Sequence, residues 1–135
     1  MMEKVVRIGG ASGFWGDAAM ATPQLLRAGG LDYIVYDYLA EITMSILARA
    51  RAEKPEMGYA TDFVSLALKP NLAEIARQKV KIIANAGGVN PQSCAAAVRT
   101  LLAARGLALK VAAISGDDLM AQKDDLAQVA PMEMF

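Results

Sequence analysis

Val5-Val6-Arg7-Ile8-Gly9-Gly10-Ala11-Ser12-Gly13-Phe14-Trp15-Gly16-Asp17 is the stretch whose reading decides the fold. A short apolar run passes straight into a loop carrying Gly10, Gly13 and Gly16, which closes on the chain's only tryptophan and a carboxylate. Glycine is used where the backbone takes φ > 0 or comes close to a ligand. A strand, such a loop and then a helix open many phosphate- and nucleotide-binding α/β units. The spacing here is neither G-x-G-x-x-G nor G-x-x-x-x-G-K-S/T, which disfavours a nucleotide-binding oxidoreductase. Two readings remain: a tight strand-to-helix loop lining a site, and a purely structural turn.

Outward from this stretch, β-like and helix-like segments alternate. Thr22-Pro23 reads as N-cap and first residue of a short helix over Gln24 to Ala28, stopped by Gly29-Gly30. Asp32 to Tyr38 is rich in β-branched and aromatic residues. Leu39, Ile42, Thr43, Ile46, Leu47 and Ala50 recur at helical spacing until Pro55. Two short helices over Gly58 to Gln78 are separated or kinked at Lys69-Pro70-Asn71. Val80 to Ala84 is a third strand, ending in Asn85-Ala86-Gly87-Gly88-Val89, a second glycine loop. Asn90-Pro91 cap a helix whose inner stripe is Cys94, Val98, Leu101 and Leu102, with Gly106 as its stop. Leu109 to Ile114 reads as a fourth strand, and Leu119 to Phe135 as one weak helix.

Alternation of this kind predicts an α/β fold: a three-layer, Rossmann-like or flavodoxin-like parallel sheet with right-handed crossovers. The expected strands are residues 5–9, 32–37, 80–85 and 109–114, in the order 2-1-3-4 and truncated after the fourth. That order makes the first and third strands neighbours and brings their two glycine loops face to face, at the switch point where such sheets bind ligands.

Composition narrows the function. Lys and Arg number 14 and Asp and Glu 14, so there is no basic excess to neutralise the phosphates of a nucleic acid. At 55% hydrophobic the chain is globular in character, yet no run approaches the roughly 20 apolar residues of a membrane span. No secretory signal is visible, and Cys94 is the single cysteine, so no intrachain disulfide forms and a reducing cytoplasm is the simplest compartment. Histidine is absent, which removes Ser-His-Asp and Cys-His arrangements and His-based metal sites. Chemistry within these residues falls to carboxylates, hydroxyls, amides, Lys, Arg and Tyr.

Each expected strand ends in such groups: Ser12 and Asp17; Asp37 and Glu41; Asn85 and Asn90; Ser115, Asp117 and Asp118. In a parallel sheet they share one edge. Asp17, Asp37 and Glu41 are the candidate acid–base carboxylates. Gly10, Ser12, Gly13, Trp15, Asn85, Gly87, Gly88, Asn90 and Asp117 are candidate ligand contacts. The same rim suits a hard divalent cation such as Mg²⁺. The bland alternative is that Asp and Asn cap helices and make turns there. Asp37 interrupts an apolar strand between two tyrosines, where a buried charge needs a partner. Glu41 comes within reach of it if the helix begins at Tyr38. Trp15 and Phe14 either cover an apolar ligand or close the sheet edge, and Cys94 reads as core.

Four blocks together resemble the acyclic terpene utilisation (AtuA) family: Ile8 to Asp17; Asp37-Tyr38-Leu39-Ala40-Glu41 with Thr43-Met44-Ser45; Gly58 to Phe63; and Asn85-Ala86-Gly87-Gly88-Val89-Asn90-Pro91. The resemblance runs on to Gly116-Asp117-Asp118-Leu119. It implies a part in the breakdown of acyclic terpenes of the citronellol and geraniol type, with a terpenoid acid or its CoA thioester as small-molecule substrate. Hydration or carbon–carbon cleavage suits carboxylates without histidine. A non-catalytic binding or assembly domain is the alternative. Family proteins are longer, so residues 1–135 read as a single α/β domain, the N-terminal portion of such a protein. A missing C-terminal region or a second subunit is expected to cover the apolar tail at Met132 and Phe135.

Overall fold

The computed structural model describes residues 5–130. Three parallel strands form one sheet: β1 (Ile8–Ser12), β2 (Tyr33–Tyr36) and β3 (Lys81–Ala84). Among the described residues five α-helices accompany them: α1 (Ala18–Ala28), α2 (Glu41–Glu53), α3 (Leu72–Gln78), α4 (Pro91–Ala104) and the short α5 (Lys123–Leu126). A π-helical segment, Phe63–Leu68, precedes α3, and the Lys69 amide reaches back five residues to the Val64 carbonyl at 3.0 Å. The α/β class follows from the alternation of strand and helix.

The strand order is β1-β2-β3, with β2 in the middle. This corrects the expected 2-1-3-4 order: the first and third strands are separated, the winding never reverses among these strands, and they contain no switch point. The two glycine loops are therefore not brought face to face by adjacent strands. The fourth expected strand is also absent. Residues 107–119 follow α4 as irregular chain, and Ile114 is 91% exposed. This segment is held instead by Arg99, whose guanidinium donates to the Val111 carbonyl at 3.0 Å, and by an Arg51–Asp118 ion pair at 3.0 Å.

An unreversed order has a consequence for layering. Right-handed crossovers that always step the same way put their helices on the same side of the sheet. One face is accordingly buried: Gly9, Ala11, Ile34 and Tyr36 point into the core, with Ile82 half-buried beside them. The other face carries Ile8, 62% exposed, and Ile83, 53% exposed, flanking half-buried Val35. Among the described residues the sheet is thus covered on one side, not sandwiched in three layers.

The core is aromatic at its centre. Tyr36 and Tyr38 stack at 6.3 Å between centroids, and Phe63 of the π-helical segment meets them edge-on at 5.3 and 5.9 Å. Such pairs contribute about 0.5–1.5 kcal/mol each beyond their buried area. The π-helical segment also packs on α1 and α4, so these aromatic rings tie the sheet to the helical layer.

α1 starts earlier than the Thr22-Pro23 signal predicts. Pro23 lies inside it, and Thr22, fully buried, donates its hydroxyl to the Ala18 carbonyl at 2.7 Å and pairs with the Tyr36 hydroxyl at 3.1 Å. The remaining stops hold as read: Gly29 ends α1 with φ 69, and Gly106 follows α4 with φ 62. Asn90 caps α4, its side-chain oxygen accepting from the Ser93 amide at 3.2 Å, with Pro91 as the first helical residue. The expected tail helix is reduced to a 3₁₀ turn, Met120–Gln122, and α5. Met132 and Phe135 lie outside the described residues.

Candidate functional site

The carboxyl ends of the three strands are joined by a short polar chain. β1 carries a register irregularity between Gly10 and Ser12. Irregularities of this kind re-aim side chains at sheet ends. Ser12 donates its hydroxyl to the Asp37 carbonyl at 3.0 Å. Asn85, just past β3, donates its amide to the Asp37 carboxylate at 2.7 Å and accepts the Tyr38 backbone N–H at 2.7 Å. Ser12, Asp37 and Asn85 thus stand together on one rim, and the Asp37 carboxylate is both oriented by an amide and open to solvent.

Behind this rim lies a less exposed group. The Gly13 N–H donates to Asp17 Oδ2 at 2.8 Å, closing the loop after β1 on itself. Asp17 occupies the N-cap position of α1 but makes no side-chain cap bond there. Trp15, packed half-buried against the core, donates its indole N–H to Asp62 at 2.6 Å. Tyr38 is 1% exposed and sits in the aromatic cluster below. Two buried side-chain polar atoms have no hydrogen-bond partner among the described residues: Asp17 Oδ1 and the Tyr38 hydroxyl. An unpaired buried polar group costs about 1–3 kcal/mol. Tyr36 shows the contrast, since its hydroxyl is satisfied by Thr22.

Tyr38 remains a neutral phenol. Burial raises its pKa above the usual 10.0, and the nearby Asp62 charge, then Tyr36, Asp17 and Cys94, push the same way. It therefore offers an O–H donor at any physiological pH. Burial alone pushes the Cys94 thiol up to about 11, and it stands as core, not as a nucleophile.

The other expected site residues fall elsewhere. α2 begins at Glu41 with extended Ala40 before it, so Asp37 and Glu41 are not one helical turn apart. Glu41 is the exposed first residue of that helix, where its charge favours the positive end of the helix dipole. Gly87, Gly88 and Asn90 are committed to packing. A Cβ on Gly87 would lie 2.8 Å from Pro91 Cα. One on Gly88, whose φ is 52, would run into Leu47 of α2 and lie 2.8 Å from the Gly58 carbonyl. The Asn90 amide donates to the Pro55 and Met57 carbonyls at 2.9 and 2.8 Å. Arg51 reaches the Val89 carbonyl from α2. Gly10 has open space around it. Asp117 makes no side-chain hydrogen bond among the described residues; its neighbour Asp118 takes the Arg51 ion pair. The described residues hold no group of three or more Asp, Glu, Cys or His side chains placed for a metal ion.

Tyr38 and Asp62 were not singled out by sequence reasoning as site residues. Asp62 and its partner Trp15 are 47 residues apart in sequence. Tyr38 read as one of a tyrosine pair flanking Asp37, and nothing local distinguishes a phenol that finds a partner from one that does not.

A parallel α/β domain with a carboxylate-bearing rim is the class that fold and site define. The family model described as acyclic terpene utilisation family protein AtuA matches residues 6–134, and the chain belongs to that family. No curated protein and no solved structure matches it. Family membership attaches the chain to acyclic terpene utilisation. No helix among the described residues is long and apolar enough to cross a membrane.

Proposed function

We propose that this chain supplies a rim at which an acyclic terpenoid acid of the citronellol and geraniol type, or its CoA thioester, is bound and processed by carboxylate proton transfer. Asp37, oriented by Asn85, is the exposed acid–base group, and Asp17 is the second carboxylate. Trp15 and Phe14 supply apolar cover for the hydrocarbon chain. The observation that carries this reading is the pair of buried, unpartnered atoms, Asp17 Oδ1 and the Tyr38 hydroxyl, directly behind an open polar rim. Native interiors satisfy nearly all such atoms, and the exceptions call for a ligand or water. The lack of histidine leaves carboxylates as the proton-transfer groups.

The test is turnover of geranoyl-CoA by the protein, monitored by chromatography. Asp37→Asn keeps the shape and the Asn85 contact region but removes the base, and is expected to lower the rate by about 10²–10⁴-fold. An unchanged rate in Asp37→Asn rules out this role.

A second reading has its own observation. The uncovered sheet face with Ile8 and Ile83 is apolar, and parallel sheets are ordinarily covered on both faces. That favours a binding or assembly domain working in the cytoplasm with further polypeptide or a second subunit. Normal turnover in Asp37→Asn, together with loss of association in Ile83→Asp, supports this alternative.

A further inference from the structure

Two adjoining cavities lie at the opposite end of the sheet from the rim, where the strands begin. One, of ≈ 420 Å³, lies between the ends of α1 and α3, with Arg27, Glu74 and Arg77 on its wall. The other, of ≈ 320 Å³, lies at the starts of β2 and β3, with Asp32, Tyr33, Lys79 and Lys81 on its wall. Leu31 and Gln78 line both, so the two form one cleft. Volumes of this order suit a small molecule.

Positive charge gathers in this cleft. Four cationic side chains line it against two carboxylates, in a chain whose charges balance at 14 and 14. Both carboxylates are engaged: Glu74 accepts from Arg77 at 2.8 and 2.5 Å, and Asp32 accepts the Arg7 backbone N–H at 2.8 Å. A Cβ on Gly30 would lie 3.5 Å from the Arg7 guanidinium, so a further cation stands at the edge of the cleft. Among the described residues Arg7, Arg27, Lys79 and Lys81 make no ion pair. Arg27 and Arg77 also offset the dipoles of α1 and α3, whose last turns they occupy. Cations gathered without counter-ions favour a ligand that brings more than one negative charge.

Lys79 adds an independent observation. It is the C-cap of α3 with φ 57, the one non-glycine residue among those described with a positive φ. Glycine is the usual residue at such a position, because a side chain there costs conformational energy. Strain retained at a single position points to a role for the side chain that causes it. Lys81 is held in place as well, its Nζ 5.2 Å from the centroid of the Tyr33 ring and 3.4 Å from the Tyr33 hydroxyl.

We infer that this cleft binds a diphosphate group, with Arg27 serving one phosphate and Lys79 and Lys81 the other. One such side chain suffices for a carboxylate, whereas a diphosphate offers charge and acceptor oxygens to both parts of the cleft. The site lies at the other end of the strands from Asp37 and stands whether or not the rim processes a terpenoid.

The experiment is calorimetric titration of the protein near neutral pH in phosphate-free buffer at low salt, with pyrophosphate, ADP and orthophosphate as separate probes. Saturable binding of pyrophosphate and ADP is expected, each at least ~10-fold tighter than orthophosphate. Lys79→Gly and Lys81→Gln should each weaken pyrophosphate about 10-fold, while Lys110→Gln, a charge removed outside the cleft, leaves it unchanged. Lys79→Gly should also melt at or above the wild-type temperature, because it relieves the left-handed strain. ADP binding more tightly than pyrophosphate identifies a nucleotide as the source of the diphosphate, and equal affinities identify the free diphosphate. Orthophosphate binding as tightly as pyrophosphate overturns the inference. So does an equal loss in Lys110→Gln, which means diffuse charge only, and so does wild-type affinity in both Lys79→Gly and Lys81→Gln. Absence of binding by pyrophosphate and ADP overturns it outright.

Discussion

The loop after β1 and the loop after β3 look alike in sequence, each a strand followed by closely spaced glycines, yet they are built for different ends. After β3, Gly87 and Gly88 are glycines because Pro91, Leu47 and the Gly58 carbonyl leave no room for a side chain. The amides of Gly88, Val89 and Asn90 donate to Asn85, Gly58 and Gly87 carbonyls at 3.1, 3.0 and 2.8 Å. After β1, Gly10 faces open space, and a Cβ on Gly13 would meet nothing nearer than Asp17 at 3.9 Å. That loop leaves a buried carboxylate oxygen unpaired. Glycine count therefore does not distinguish a packed corner from an open loop, whereas the space around each glycine and the fate of the neighbouring polar atoms do.

The largest expected effect comes from crowding the packed loop. Gly88→Ala adds a Cβ against Leu47 and the Gly58 carbonyl at a left-handed φ, and should destabilise the protein by about 3 kcal/mol in urea unfolding. Wild-type stability in Gly88→Ala would remove the contrast between the loops.

Next is the opposite sign at Tyr38, which follows β2. Tyr38→Phe deletes an unpartnered buried hydroxyl and should stabilise by about 1 kcal/mol without ligand. A loss of 1 kcal/mol or more would show that the hydroxyl is satisfied in the resting protein. Gly10→Ala should fall within about 0.5 kcal/mol of wild type, because its Cβ meets nothing.

The sequence revealed where the strands lie but not how they are arranged. The β-branched and aromatic runs around residues 33–36 and 81–84 fall inside the expected ranges, and β1 lies a few residues later than expected. Strand order is decided by how successive crossovers stack, and no local residue pattern encodes it. The fourth strand failed although Leu109 to Ile114 has strand composition, because β propensity describes fit to a pleated neighbour that this segment lacks. Pro23 misplaced the start of α1 because the buried Thr22–Tyr36 contact supports the helix through the proline. At the rim, Ser12, Asp37 and Asn85 were readable as strand-end polar groups. Tyr38 and Asp62 were not, since their significance lies in partners found or lacking across the fold.

The smallest effect is a control remote from both loops. Glu74 on α3 is held by Arg77 at 2.8 and 2.5 Å, and these hydrogen bonds, with one from Gln78, lower its pKa from 4.5 to about 2. A depressed folded-state pKa stabilises above the unfolded value and loses that contribution as pH falls from about 4.5 toward 2. Glu74→Gln should therefore flatten the acid limb of the stability profile slightly and leave the difference between Gly88→Ala and Gly10→Ala unchanged. A shift in that difference would mean that the loops are coupled to α3.

Amide hydrogen exchange tests the contrast most directly. The amides of Gly88, Val89 and Asn90 should exchange only with opening of the surrounding fold, while those of Phe14, Trp15 and Gly16 should exchange at least about 100-fold faster and slow on addition of geranoyl-CoA. Equal protection of the two loops, or a first loop indifferent to the ligand, would contradict the assignment of one loop to packing and the other to binding.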